Sequence, residues 1–296
     1  MPLSFSLPSF AKINLLLRIL GKREDGFHEL FTVFQTVSLR DTLHFEEAGD
    51  LELTCDDSRV PTDDRNLIIR AATALKRNLG VKTGAKIHLE KRIPSPGGLG
   101  GGSSNAAVAL IGLKRLWNVP VTDSDLLSIA EELGSDVPFF LFGGTAIGTG
   151  RGEKIEQVGD IEGEHLLIVT PDVAVSTSSA FAALESANLT NADTESILTV
   201  CRNEAKSLDL RRSALTNDFS QTVFASHPEI KRVRAALLSL GAVNVALSGS
   251  GASVFAVFDK QETRQAAHNA LEETRDWRKF VVSTVSRDIY AKALFV

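Results

Sequence analysis

The sequence predicts an α+β protein of two domains: a mixed sheet with helices first, then an α/β sandwich on one antiparallel sheet. Three observations carry this reading. Several strand-like runs precede any helical pattern, strands and helices alternate beyond about residue 165, and a change in pattern falls near residue 160. The expected domains are therefore 1–160 and 161–296. A chain of 296 residues, 43% hydrophobic and 23% charged, is long and apolar enough to bury a core in each.

Residues 5–20 (FSLPSFAKINLLLRIL), 31–47 and 50–55 mix alternating and continuous apolar positions, with Gly and Asp turns between them. They read as a partly antiparallel sheet. In residues 63–80, Leu67, Ile68, Ala71, Ala72, Leu75 and Leu79 recur at helical spacing between an acidic start and a glycine stop. Residues 85–93 (AKIHLEKRI) read as a strand, the glycines that follow as a loop, and 103–117 as a helix with serine at its N-cap. A Thr-Asp signal opens another helix at 123–134, and 143–153 is again rich in glycine. Strand character returns at 165–172. Helical stretches follow at about 177–187, 194–207 and 227–240, then strands 244–249 and 252–258, a helix at 262–274 and a strand at 280–286. Two strand–helix units sharing one antiparallel sheet fit this order.

Charge and composition exclude several functions. A formal net charge of −5 gives no global positive field to hold nucleic acid or an acidic membrane. No apolar run approaches the roughly 20 residues needed to span a bilayer. The N-terminal stretch lacks a basic leader and carries Lys12 within its apolar part, so no secretory signal is expected and the chain reads as cytoplasmic. Cys55 and Cys201 have neither metal-ligand spacing nor disulfide density, and read as reduced thiols.

The stretch PSPGGLGGGSSNAA, residues 94–107, carries the chemistry. Five glycines, Gly97, Gly98, Gly100, Gly101 and Gly102, let a ligand reach main-chain N–H groups, and a helix starting there adds its free amides and positive dipole end. That combination suits a phosphate. Ser103 and Ser104 offer hydroxyls to cap the helix, to phosphate oxygens, or to a metal travelling with them. No Gly-Lys-Ser/Thr follows as in a Walker A loop, and no acidic residue stands where a dinucleotide fingerprint needs one.

Residues 94–104 resemble the second motif of the GHMP kinase superfamily, Pro-x-x-x-Gly-Leu-Gly-x-x-Ser-Ser. FAKINL at 10–15 and LSGSGASVFA at 247–256 are similar to two further motifs, in the family's order, and REDGFHEL, NLIIRAA and GSDVPFF add to a likeness over nearly the whole chain. The resemblance implies a two-domain GHMP kinase fold with a ferredoxin-like C-terminal sandwich. It implies an ATP- and Mg²⁺-dependent kinase of isoprenoid precursor synthesis, phosphorylating a hydroxyl of the methylerythritol part of a cytidine diphosphate conjugate. Its partners are then small molecules, the chain a monomer or homodimer. The metal's ligands stay unknown.

Phosphoryl transfer to an alcohol requires in-line alignment, compensation of phosphate charge and an acceptor for the hydroxyl proton. By resemblance, Asp136 is the base and Lys12 its companion, orienting it and stabilising developing charge. Asn14, two residues along the same strand, shares the face of Lys12 and suits the acceptor alcohol. Phe27 and His28 offer a ring to stack on a pyrimidine and an imidazole for its polar edge. Phe181 stands as the second ring of a two-ring slot, with Thr177 a further substrate contact. Pro94, Gly97 to Gly102 with Leu99, Ser103 and Ser104 are expected at ATP, with Asn66 and Lys91 at the adenine. Ser248, Gly249, Ser250 and Gly251 form a tight turn whose small residues allow close backbone approach to the glycine loop.

Three positions depart from the commonest family pattern. Phe27 stands for a tyrosine, Ser248 and Ser250 for threonines, and Pro96 removes one donor while stiffening the loop. Two other readings compete: a GHMP kinase for a smaller alcohol such as homoserine or mevalonate, and a non-catalytic nucleotide sensor. The base-stacking residues argue against the first. Retention of both Lys12 and Asp136 argues against the second.

Overall fold

The structure, a computed structural model, describes residues 3–185 and 194–295. Its first sheet is built on two long antiparallel strands, β1 (Ser4–Lys22) and β2 (His28–Ala48). Along its other edge, the N-terminal half of β2 pairs with β5 (Thr145–Gly150) and its C-terminal half with β4 (Gly84–Glu90). Strand β3 (Leu51–Cys55) lies parallel to β4, and β6 (Lys154–Gln157) closes a hairpin on β5. The second sheet is antiparallel throughout, in the order β10 (Trp277–Ser283), β7 (His165–Pro171), β9 (Val254–Phe258), β8 (Asn244–Leu247). Within that sheet the order is fourth, first, third, second, the arrangement of a ferredoxin-like βαββαβ unit.

Alternating side chains bind these sheets into layers. Leu166 and Ile168 of β7 face Ala11, Ile13, Phe31 and Val33 of the first sheet. Leu167 and Val169 point the other way, onto helices α4 (Thr177–Glu185), α6 (Phe219–Ser226), α7 (Pro228–Ser239) and α8 (Gln261–Ala270). Helices α1 (Leu67–Leu79), α2 (Gly101–Leu116) and α3 (Asp123–Leu133) cover the outer face of the first sheet. The order is helices, sheet, sheet, helices. Helix α5 (Thr194–Lys206) adds Leu198 and Cys201 to the middle layer, while α9 (Arg287–Phe295) returns to the first core with Tyr290 and Leu294.

The structure corrects several local expectations. Helix α1 starts at Asn66, whose side chain accepts from the Ile68 amide; Asp63 and Asp64 lie in the preceding turn, and Gly80 ends the helix as expected. Thr122 and Asp125 form a full capping box on α3. Helix α2 is not capped by serine. It starts two residues earlier, at Gly101, and its N-cap is Gly100, in the left-handed region (φ 70°) with no side-chain cap. The glycine-rich 143–153 contains strand β5 and the turn into β6, and helices α6 and α9 carried too little periodicity to be anticipated. The part of the expected 177–187 helix beyond Glu185 lies outside the described residues.

Candidate active site

Lys12 and Asn14 sit mid-strand on β1, opposite Thr36 and Phe34 of β2. Both are buried, Lys12 3% and Asn14 2% exposed, so their polar atoms need partners. The Lys12 ammonium donates to Asn14 Oδ1 (2.7 Å) and the Gly98 carbonyl (3.0 Å) and lies 3.3 Å from Asp136 Oδ2. Asn14 Nδ2 donates to Thr32 Oγ1 (2.8 Å), whose hydroxyl donates to the Leu16 carbonyl. This chain fixes the Asn14 amide with its oxygen towards Lys12. Asp136 keeps 33% of its side chain exposed and faces a cleft of about 650 Å³.

The glycine loop forms the cleft's floor because nothing larger fits. Gly98 has φ +70°, and a Cβ there would overlap the Ser248 carbonyl oxygen. Ser248 Oγ donates to the Gly98 carbonyl (2.9 Å) and the Ser253 amide to the Gly97 carbonyl (3.2 Å), stitching the third motif to the loop. A Cβ at Gly100 would meet the Phe140 ring at 2.8 Å and Lys12 Cγ at 3.0 Å. The first turn bond of α2 runs from the Ser104 amide to the Gly100 carbonyl (2.8 Å), so the amides of Gly101, Gly102 and Ser103 have no helical acceptor. They present an anion-binding helix start. Leu99 is buried, and its carbonyl accepts from the Lys12 amide (3.0 Å).

Three expected site residues do other work. Ser104 is fully buried, 2.7 Å from Ser9 Oγ, so of the two serines only Ser103 is left near the loop surface. Lys91 turns inward onto Asp41 (2.9 Å) and the Ile93 carbonyl. Burial pushes its ammonium below the ordinary value, with Asp41 pulling the other way. Asn66 is used at both ends of its amide, by Ile68 N and the Pro61 carbonyl. Sequence pattern shows a residue's type, not whether nearby backbone has already taken its donors.

Asp41 is a residue that sequence reasoning missed. Fully buried, it accepts from Lys91 Nζ, the amides of Arg92 (2.6 Å) and Ile93 (2.7 Å), and Asn105 Nδ2 (3.1 Å). Both arms of the glycine loop hang on one carboxylate. Tyr290 was equally invisible. Its hydroxyl donates to the Phe140 carbonyl (2.6 Å), bracing the 3₁₀ turn Pro138–Leu141 that follows Asp136.

Phe27, His28, Thr177 and Phe181 line the same cleft as Lys12 and Asp136, with Gly249 and Ser250. Thr177 Oγ1 and Ser250 Oγ are 2.9 Å apart. The two rings of the expected slot have different neighbours. Phe181 stacks on His28 (4.7 Å, 17°) and meets Phe219 edge-on, whereas Phe27 is 53% exposed beneath the Arg151 guanidinium (4.9 Å). A larger groove, about 860 Å³, crosses α2, α3 and α9, but none of the motif residues lines it. Among the described residues no three His, Cys, Asp or Glu side chains gather as a metal site, and no helix is long and apolar enough to cross a membrane.

A ferredoxin-like sheet joined to a mixed sheet, with a glycine loop beneath a Lys–Asp pair, defines a small-molecule kinase of the GHMP class. Family models agree: "GHMP kinases N terminal domain" matches residues 66–144 and "GHMP kinases C terminal" residues 200–275. The 4-diphosphocytidyl-2-C-methyl-D-erythritol kinase of Chlorobium limicola is 41% identical over 273 residues, 92% of this chain and 94% of its own. That of Caldanaerobacter subterraneus subsp. tengcongensis is 35% identical over 268 residues, covering 90% and 92%. A crystal structure of 4-(cytidine 5'-diphospho)-2C-methyl-D-erythritol kinase superposes with a TM-score of 0.75 at 32% identity, covering 95% of this chain and 99% of that one. The chain belongs to the 4-diphosphocytidyl-2-C-methyl-D-erythritol kinase family.

Proposed function

We propose that this protein transfers the γ-phosphoryl group of ATP to the 2-hydroxyl of 4-diphosphocytidyl-2-C-methyl-D-erythritol. One observation carries the reading: the Lys12 ammonium bridges the Gly98 carbonyl of the glycine loop (3.0 Å) and the Asp136 carboxylate (3.3 Å) at the floor of the cleft. The pair stands where a phosphate held by the loop would meet an alcohol held by the cleft.

In this mechanism the amides of Gly101, Gly102 and Ser103 hold the ATP phosphates at the start of α2. Asp136 accepts the hydroxyl proton as the alcohol oxygen bonds to the γ-phosphorus and the bond to ADP breaks; the carboxyl then releases the proton to solvent. Lys12 orients Asp136 and stabilises charge on the transferred group. Magnesium binds through few protein oxygens and mostly through phosphates and water, which suits a loop offering Ser103 Oγ and no acidic cage. When bound with ATP it neutralises charge on the phosphate oxygens. The adenine is assigned to the start of α1, beside the first turn of α2, with Asn66 and Lys91 acting through the backbone they hold. Residues 1–160 are taken as the ATP-binding domain and 161–296 as the C-terminal domain, in a cytoplasmic enzyme.

The test is ADP release with 4-diphosphocytidyl-2-C-methyl-D-erythritol, ATP and Mg²⁺, beside homoserine and mevalonate. Turnover with the cytidine conjugate alone supports the proposal. Turnover with a small alcohol instead would keep the Lys–Asp pair and overturn the assignment of Phe27, His28 and Phe181.

A further inference from the structure

The hairpin between β5 and β6 puts Arg151 and Gly152 in the cleft wall, and neither has a role in the reaction derived so far. Their placement is informative. Gly152 has φ +108°, and a Cβ there would come within 4.0 Å of the Ser135 side chain, next to Asp136. One residue away, the Arg151 guanidinium lies 4.9 Å above the Phe27 ring. The hairpin thus spans the cleft from the Lys–Asp pair to the aromatic residues. A substrate with its alcohol at Asp136 and its base among the aromatics must run its diphosphate along this wall.

That diphosphate is a diester with two negative charges, which need compensation once out of bulk water. Among the described residues lining the cleft, the lysine and arginine side chains are Lys12 and Arg151. Lys12 is already committed to Asn14, Gly98 and Asp136. Arg151 is differently placed. Its own amide donates to Glu153 Oε2 (2.6 Å), which fixes the turn, but its Nε lies 4.0 Å from that carboxylate, a distance that leaves the guanidinium fork unspent. Asp25, on the turn before Phe27, also lies within the field of this charge. A guanidinium held over the Phe27 ring (4.9 Å) keeps its N–H donors, and that fork suits bidentate phosphate recognition.

We infer that Arg151 is a specificity-determining residue that binds the diphosphate of the substrate, so that the cleft selects nucleoside diphosphate conjugates over bare polyols or nucleosides. The inference rests on the cytidine-conjugate reading of the cleft. Its test uses the intact enzyme with cytidine and cytidine 5'-diphosphate as competitive inhibitors of the conjugate, in wild type, Arg151→Met and Arg151→Lys. Methionine keeps an unbranched side chain over Phe27 without the charge; lysine restores a charge without the fork. The expected result is a wild-type preference for the diphosphate over cytidine that falls at least tenfold in Arg151→Met and partly returns in Arg151→Lys. The KM for ATP stays unchanged. If cytidine and its diphosphate weaken by the same factor in Arg151→Met, the arginine only props Phe27 and the inference is overturned. If neither compound inhibits the wild type, the cytidine-conjugate reading itself has failed.

Discussion

Lys12 shows what a buried charge demands and what it can then do. At 3% exposure an ammonium is tolerable only with its donors used, and the side chain of Asn14, the carbonyl of Gly98 and the carboxylate of Asp136 surround it. The Asp136→Asn enzyme should therefore fold and keep both KM values near wild type while kcat falls by about 10² or more, as expected for loss of a positioned base. Steady-state kinetics beside a melting curve check this; near-wild-type turnover would remove Asp136 from the mechanism. For Phe181→Ala, the KM for the cytidine conjugate should rise several-fold more than that for ATP. Equal rises would make Phe181 a packing residue. Lys12, Asn14 and Asp136 were legible because motifs name residue types. The partners of Lys91 and Asn66 were not legible, because they are a carboxylate fifty residues away and a carbonyl just upstream.

The helix α2 start and the 248–252 turn form a single piece of backbone packing, and the sequence announces it through glycine. At Gly98 the left-handed φ costs any other residue about 1–2 kcal/mol, and overlap with the Ser248 carbonyl adds to that. Gly102, four residues on, is a control: a Cβ there meets only Leu67 Cδ1, at 3.8 Å. Gly98→Ala should lower the unfolding temperature and raise the KM for ATP, whereas Gly102→Ala leaves the unfolding temperature near wild type. Indistinguishable melting curves would refute the packing argument. Glycine also hid an element. Strand β5 reads TAIGTG and is buried along nearly its whole length, so it has no period-two pattern, and its glycines leave too few apolar side chains to read as a buried run. That the second half forms strand–helix units on one antiparallel sheet was legible from the alternation of patterns, while its ferredoxin-like strand order was implied by the family resemblance.

At the scale of the molecule, β1 is tied to the segment that leads into α6. Its Leu17 amide donates to the Thr216 carbonyl (2.9 Å), the Asp218 amide to the Leu17 carbonyl (3.0 Å), and the Ile19 amide to Asp218 Oδ2 (2.7 Å). Burial raises the Asp218 carboxyl above its ordinary 3.8, outweighing the Ile19 amide and Arg18. A carboxyl raised on folding contributes stability that is fully present below 3.8 and is lost as pH rises through the folded value. Asparagine at 218 still accepts from Ile19 and carries no charge. The Asp218→Asn variant should melt no lower than wild type near neutral pH, and its advantage should shrink as pH falls towards about 4. Melting curves across that range decide it, and a loss near neutral pH that disappears as pH falls would show that the charge itself supports the joint.

The Gly98 carbonyl oxygen has two lone pairs and two donors, Lys12 and Ser248, the second 150 residues away along the chain. Position 248 is therefore part of the glycine loop in every sense except sequence. A genetic selection for resistance to an ATP-competitive drug would return changes in both stretches. Read along the gene, the second group would look unrelated to the nucleotide.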